Sequence, residues 1–126
     1  VEGTRYDFRT LKPIKHSEDQ LSSDCALDNT FCLSTERQRP LCHAATLKAG
    51  RLSMETWTNQ PGLVVYTGEF IDIPNTSIHG RPYGPFAGIA LEAGSWPDAP
   101  THRHFPSAEL RPGQVYRNVT EYRFKA

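Results

Sequence analysis

The sequence predicts an all-β, antiparallel fold, a sandwich or a barrel, and three observations carry that expectation. Short runs rich in β-branched and aromatic residues recur along the chain, turn-forming residues separate them, and no stretch sustains a helical period. The 6 Phe, 5 Tyr and 2 Trp, with 10 Pro among 126 residues, suit strands and loops better than helices. The apolar fraction, 37%, is low for a self-sufficient domain, so the length allows one ordinary domain or part of a larger one.

The elements follow in order. Arg5-Tyr6-Asp7-Phe8-Arg9 alternates polar and aromatic residues, as a half-buried strand does. Positions 10–24 are polar and turn-rich, and His16-Ser17-Glu18-Asp19-Gln20 reads as a short helix or a surface excursion. Asp28-Asn29 reads as a turn-forming pair leading into a strand at Thr30-Phe31-Cys32-Leu33. Leu41 to Leu47 is the next strand, Lys48-Ala49-Gly50 a tight turn, and Arg51 to Thr58 a strand with Leu52, Met54 and Thr56 on one side. Gln60-Pro61-Gly62 breaks that strand. Leu63-Val64-Val65-Tyr66-Thr67 is the most β-prone run of all. A Pro- and Gly-rich loop spans Ile73 to Pro85, Ala87 to Glu92 returns to strand, and a second Pro-rich loop covers 94–106. Arg111-Pro112-Gly113-Gln114 is a turn, and Tyr116 to Phe124 is a closing strand. Loops of such length are uncommon in a compact domain unless they carry function.

Composition narrows the partners. Lys and Arg together number 14, as do Asp and Glu, leaving no net charge, so no field favours nucleic acid or an acidic membrane. No run is long and apolar enough to span a bilayer as a helix. The start, VEGTRYDFRT, has neither Met nor a signal-peptide layout, and is read as an interior cut through a longer chain. Cys25, Cys32 and Cys42 are spaced unlike any common zinc module and are odd in number. They are expected to be buried or partly buried free thiols in a reducing cytosol, so a cytoplasmic location is expected. The sequons Asn75-Thr76-Ser77 and Asn118-Val119-Thr120 are short enough to arise by chance.

A set of phrases, in order, resembles the C-terminal part of the aldose 1-epimerase (galactose mutarotase) family. They are Val1-Glu2-Gly3-Thr4 with Asp7-Phe8-Arg9, Leu27-Asp28-Asn29-Thr30-Phe31, and Gln60-Pro61-Gly62-Leu63 leading to Tyr66-Thr67-Gly68-Glu69-Phe70. Gly88-Ile89-Ala90-Leu91-Glu92 with Trp96-Pro97-Asp98-Ala99-Pro100, then Phe105-Pro106 and Leu110-Arg111-Pro112-Gly113, are the strongest. Any one would be weak; their common order across residues 1–124 makes the resemblance specific. It implies that 1–126 is the C-terminal portion of a β-supersandwich whose N-terminal portion lies outside this chain.

The resemblance also implies an activity, interconversion of the α and β anomers of free aldohexoses such as glucose or galactose by ring opening. Glu92 matches the family's catalytic base, which takes the anomeric proton, and Asp28 matches an aspartate that binds sugar hydroxyls. The histidine that protonates the ring oxygen, with further histidines and an arginine, belongs to the upstream part, so the N-terminal portion or a complementary chain is an implied partner beside the aldose substrate. No metal, nucleotide or redox cofactor is called for. The family phrase often carries His after the aspartate where Asn29 stands here, a departure that bears on the aspartate's surroundings more than on the aspartate itself.

The residues themselves are compatible with these roles. Mutarotation needs a base and an acid on opposite sides of a hemiacetal, each within hydrogen-bond reach of its oxygen. A carboxylate ending the apolar strand Ile89-Ala90-Leu91-Glu92 is expected to be partly desolvated, which would raise its pKa. Asp28 offers two acceptor oxygens. Plainer readings stand beside each: Glu92 as a solvated carboxylate, Asp28 as a turn-former, His79, His102 and His104 as rim histidines, Trp96 and Tyr66 as packing aromatics rather than sugar-stacking ones. The alternative functions are a non-catalytic carbohydrate-binding module of the same fold, and a fragment that works only in association with another chain.

Overall fold

A computed structural model describes residues 1–14, 26–37, 40–75 and 77–126. The segment His16–Gln20, Cys25 and Thr76 of the first sequon lie outside the described residues. Six strands occur among those described: β1 Asp28–Cys32, β2 Cys42–Ala49, β3 Leu52–Thr58, β4 Gly62–Tyr66, β5 Ala90–Gly94 and β6 Thr120–Lys125. They form two three-stranded antiparallel sheets, ordered β1-β4-β5 and β2-β3-β6. No helix occurs among the described residues, and none is therefore long and apolar enough to cross a membrane. The all-β, antiparallel expectation holds.

The alternation of side chains places the core. In the sheet β1-β4-β5, Phe31, Leu63, Val65 and Leu91 share the inward face. With Ala45 and Leu47 of β2 they line a cavity of about 680 Å³ between the sheets, roofed by Tyr6, Phe8 and Ile14 of the N-terminal segment. Phe8 meets Phe31 edge-on at 6.0 Å. On β3 and β6 the inward face carries Met54 opposite Phe124 and Thr56 opposite Tyr122. The outward face is charged: Lys125 Nζ donates to Glu55 Oε1 at 2.6 Å, Trp57 Nε1 donates to Glu55 Oε2 at 3.1 Å, and Arg123 lies over the Trp57 ring.

Most expected strands differ in extent by a residue or more; β2 runs on through Lys48 and Ala49, which were expected in a turn, so the turn falls at Gly50–Arg51. Residues 5–9 form no strand. Asp7 Oδ1 accepts from the backbone N–H of Arg9 at 3.2 Å while both carboxylate oxygens bind its guanidinium, so the segment turns on itself. That pairing holds the Asp7 carboxyl well below the usual carboxylate range. Asp28 and Asn29 belong to β1 rather than to a turn. β5 begins at Ala90, not Ala87, because Phe86 adopts φ 60° and donates its N–H to Gly68 O, while Ala87 N–H closes a turn on Gly84 O. Tyr116–Val119 stays outside β6 because the Asn59 side chain replaces the backbone ladder: its Oδ1 accepts from Val119 N–H at 3.0 Å and its Nδ2 donates to Arg117 O at 3.0 Å. The turn at Arg111–Gln114 forms as expected, with Gln114 N–H on Arg111 O.

Candidate active site

Directly opposed residues of an antiparallel ladder share a face, and successive residues alternate. The register pairs Asp28 with Tyr66 and Tyr66 with Ala90, and it pairs Thr30 with Val64 and Val64 with Glu92. Asp28, Thr30, Val64, Tyr66 and Glu92 therefore share one face of the sheet, while Phe31, Leu63, Val65 and Leu91, which line the cavity, share the other. Asp28 and Glu92 occupy the two outer strands, one row apart, with roughly 12 Å between their Cα atoms at ordinary sheet spacings. The cavity between the sheets is lined by neither carboxylate; it is interior volume and belongs to the fold rather than to this site.

Both carboxylates are exposed. For Glu92 this corrects the expected partial desolvation, and the reason is positional. The shift of β5 toward Gly94 makes Glu92 the middle of its strand rather than its end, and the alternation that turns Leu91 and Ala93 inward turns Glu92 out.

The frame around the two residues is well tied. Just before Asp28, the Leu27 backbone exchanges hydrogen bonds with Thr67, its N–H donating to the Thr67 side-chain Oγ1 at 2.8 Å and its carbonyl accepting from Thr67 N–H at 2.9 Å; both residues are buried. Gly68 then takes φ +77°, and a β-carbon there would stand 2.8 Å from Ile71 Cδ1 and 2.9 Å from Gly88 O. Only glycine fits that bend. The Tyr66 hydroxyl oxygen accepts the N–H of Phe70 at 3.0 Å.

At the other end of the face, Gly62 lies between Cys32 and Gly94. Trp96 closes over it, with Cδ1 3.0 Å from where a Gly62 β-carbon would be. The indole N–H donates to Pro61 O at 2.8 Å, and the ring meets Phe105 edge-on at 5.0 Å. Trp96 is thus engaged in packing and hydrogen bonding at one end of the face, and the Tyr66 hydroxyl in a hydrogen bond at the other. The buried carboxamide of Gln60 joins the same corner, its Oε1 accepting from the Tyr116 hydroxyl at 3.3 Å.

The histidines of the 94–106 loop are held locally. His102 Nε2 lies 3.1 Å from Asp98 Oδ2, and His104 stacks edge-on against Phe105. His79 packs against Tyr83. Among the described residues no group of three or more His, Cys, Asp or Glu side chains could hold a metal ion. Cys32 is a free thiol and, like Cys42, is exposed rather than buried. What burial Cys32 has pushes its thiol above the usual range.

Two contacts on the outer edge of β5 had no sequence signal. Asn118 Nδ2 donates to Ala93 O at 2.9 Å, and the Tyr122 hydroxyl donates to Leu91 O at 3.3 Å. These carbonyls flank Glu92 in the chain. Asn118 was legible only as part of a chance sequon, and Tyr122 only as an alternating strand residue.

Comparison with known proteins gives a consistent picture. The family model for aldose 1-epimerase matches residues 1–123. The chain is 35% identical over 127 residues to a galactose mutarotase of Homo sapiens, covering 98% of this chain and 36% of the relative. It is 37% identical over 131 residues to an aldose 1-epimerase of Haemophilus influenzae, with 99% and 37% covered. An aldose 1-epimerase of Escherichia coli matches at 33% over 133 residues, covering 100% of the chain and 38% of the relative. The chain thus spans a little over a third of the length of the curated relatives it matches. With a family match along almost its whole length and the family's phrases set in the strands and turns that carry them, this chain belongs to the aldose 1-epimerase family.

Proposed function

We propose that this chain supplies the base side of a mutarotase site, with Glu92 taking the proton of the anomeric hydroxyl and Asp28 accepting hydrogen bonds from other hydroxyls of a free aldohexose such as galactose or glucose. The observation that carries the reading is the common face of Asp28 and Glu92. Two exposed carboxylates on the outer strands of one sheet, with Val64 and Tyr66 between them, span a stretch of sheet face wide enough for a small polyhydroxylated ring. The relatives named galactose mutarotase favour galactose among the substrates.

The chemistry balances with one further group. Glu92 removes the proton from the C1 hydroxyl, the C1–ring oxygen bond breaks as an acid protonates that oxygen, and C1 becomes an aldehyde. Rotation about C1–C2 presents the other carbonyl face, and the steps reverse to the opposite anomer. In this reading the acid is a histidine contributed from outside residues 1–126, by an N-terminal portion of the same protein or a complementary chain. Glu92's exposure agrees with that arrangement, since a base awaiting its opposite wall is open in this part of the fold. The free thiol of Cys32 suits a reducing compartment such as the cytoplasm.

The test is Glu92→Gln in the full-length protein, followed by polarimetry of freshly dissolved α-anomer. Gln keeps the size and one acceptor oxygen but takes no proton, so kcat should fall by roughly 10²–10⁴-fold with little change in sugar affinity. Near-normal kcat would remove the reading.

A further inference from the structure

We infer that Asn118 and Tyr122 are positioning residues for Glu92, which clamp the open edge of β5 on either side of it. The inference rests on the reading of Glu92 as the base. β5 is the outermost strand in the order β1-β4-β5. Backbone groups of an antiparallel strand alternate between its two neighbours. Glu92 is paired with Val64, and the carbonyls before and after it, Leu91 O and Ala93 O, accept from Tyr122 and Asn118. Both outward carbonyls next to the base are therefore taken by side chains.

The donors are themselves fixed. Tyr122 is paired with Thr56 on β3. Asn118 precedes Val119, whose N–H is held by Asn59, and its own Oδ1 accepts from Thr120 Oγ1 at 3.5 Å. The second sheet thus reaches across to the first and holds it one residue before and one residue after Glu92.

An edge strand held only on one side can roll about its axis, and a roll carries every side chain on it. Glu92 is exposed, so its direction is set largely by the backbone that carries it. A base must lie within hydrogen-bond reach of its proton, and a misplacement of about 1 Å can cost roughly 10²-fold in rate. The clamp opposes that roll at the one place where it matters for proton transfer, and it lies outside the Asp28 end of the face.

The test uses the full-length protein and the variants Asn118→Asp, Tyr122→Phe and their combination, each made alone and together with Glu92→Gln. Asp is isosteric and keeps the acceptor for Thr120 but cannot donate to Ala93 O. Phe keeps the ring of a side chain that is 49% exposed, so its hydroxyl leaves no cavity. The combined variant should lose roughly 10- to 100-fold in kcat, with KM within about two-fold. It should lose nothing further when Glu92 is already Gln, because residues acting through one group are not additive. Full kcat in the combined variant beside an inactive Glu92→Gln would overturn the clamp alone. So would an equal loss in both backgrounds, or a rise in KM matching the loss in kcat. Turnover retained in Glu92→Gln itself would instead overturn the base assignment, and the positioning role with it. If the combined variant does not fold, Tyr122→Phe alone carries the same comparison with an expected loss of about three-fold, on the scale of one neutral hydrogen bond.

Discussion

Asp28 and Glu92 share a face but occupy different strands, and their substitutions should separate. Where Glu92→Gln lowers kcat, Asp28→Ala should weaken sugar binding by about 1–3 kcal/mol, the range for hydrogen bonds to a charged group. Steady-state kinetics of both variants, with a direct binding measurement, distinguishes the two effects; equal effects on kcat and affinity in both would count against separate roles. Gly68 offers a purely structural counterpart. Its φ of +77° and the crowding by Ile71 and Gly88 O should make Gly68→Ala cost about 1–3 kcal/mol of stability, read from denaturant midpoints. Both carboxylates were legible in the sequence through the family phrases around them, because those phrases fix residue type and order. Their exposure was not, since it depends on which face a strand turns outward, and a one-residue change of register reverses it. Asn118 and Tyr122 were illegible for a different reason. A side chain that donates to a backbone carbonyl 25 or 31 residues away leaves no periodic or local pattern.

Among the elements, the strands read most easily were those whose pairing has no local rival. Gly62–Tyr66 and Leu52–Thr58 are rich in β-branched and aromatic residues, and each is the middle strand of its sheet. The expected strands at 5–9 and 116–119 gave way to side chains, Asp7 and Asn59, that bind backbone groups a ladder would otherwise use. β3 and β6 carry an acid-sensitive link as well. The Lys125 ammonium, and secondarily the Trp57 indole N–H, hold the Glu55 carboxyl below its ordinary value. A carboxyl depressed on folding contributes stability that is present above its unfolded pKa, about 4.3, and lost as pH falls through the folded value. Stability of the β3–β6 pair should therefore decline on acidification below about pH 4.3. Glu55→Gln should flatten that part of the curve, as followed by thermal melts from neutral to acidic pH. An unchanged slope would show that the pair is too well solvated to matter.

At the scale of the whole molecule the core is thin. Leu27, Leu63 and Ala99 are the buried hydrophobic residues among those described, while Phe124 is 63% and Leu52 49% exposed on the sheet face that turns inward. The apolar cavity between the sheets adds unfilled volume to that deficit, and loosely packed interiors forfeit dispersion contacts on every wall. The isolated 126-residue chain should accordingly bind hydrophobic dyes, melt without a sharp transition and self-associate through its sheet edges. It should also fail to accelerate mutarotation, since the proposed acid is supplied from elsewhere. Calorimetry, sedimentation and polarimetry on that chain are the checks. A monomeric species with one cooperative transition, or rapid protein-dependent mutarotation, would contradict them.

The carbonyl of Pro61 accepts from the N–H groups of Leu33 and Ser34 and from the indole of Trp96. One oxygen thus joins the exit of β1, the entry of β4 and the loop that follows β5. No side-chain substitution deletes a carbonyl, so alanine scanning passes over this junction. Its signature is temporal instead. The three protons it holds should exchange with solvent through shared opening events, with similar free energies of opening. Trp96 would then serve as a built-in reporter, its indole proton and its fluorescence registering the moment when two separate stretches of chain let go of one atom on a third.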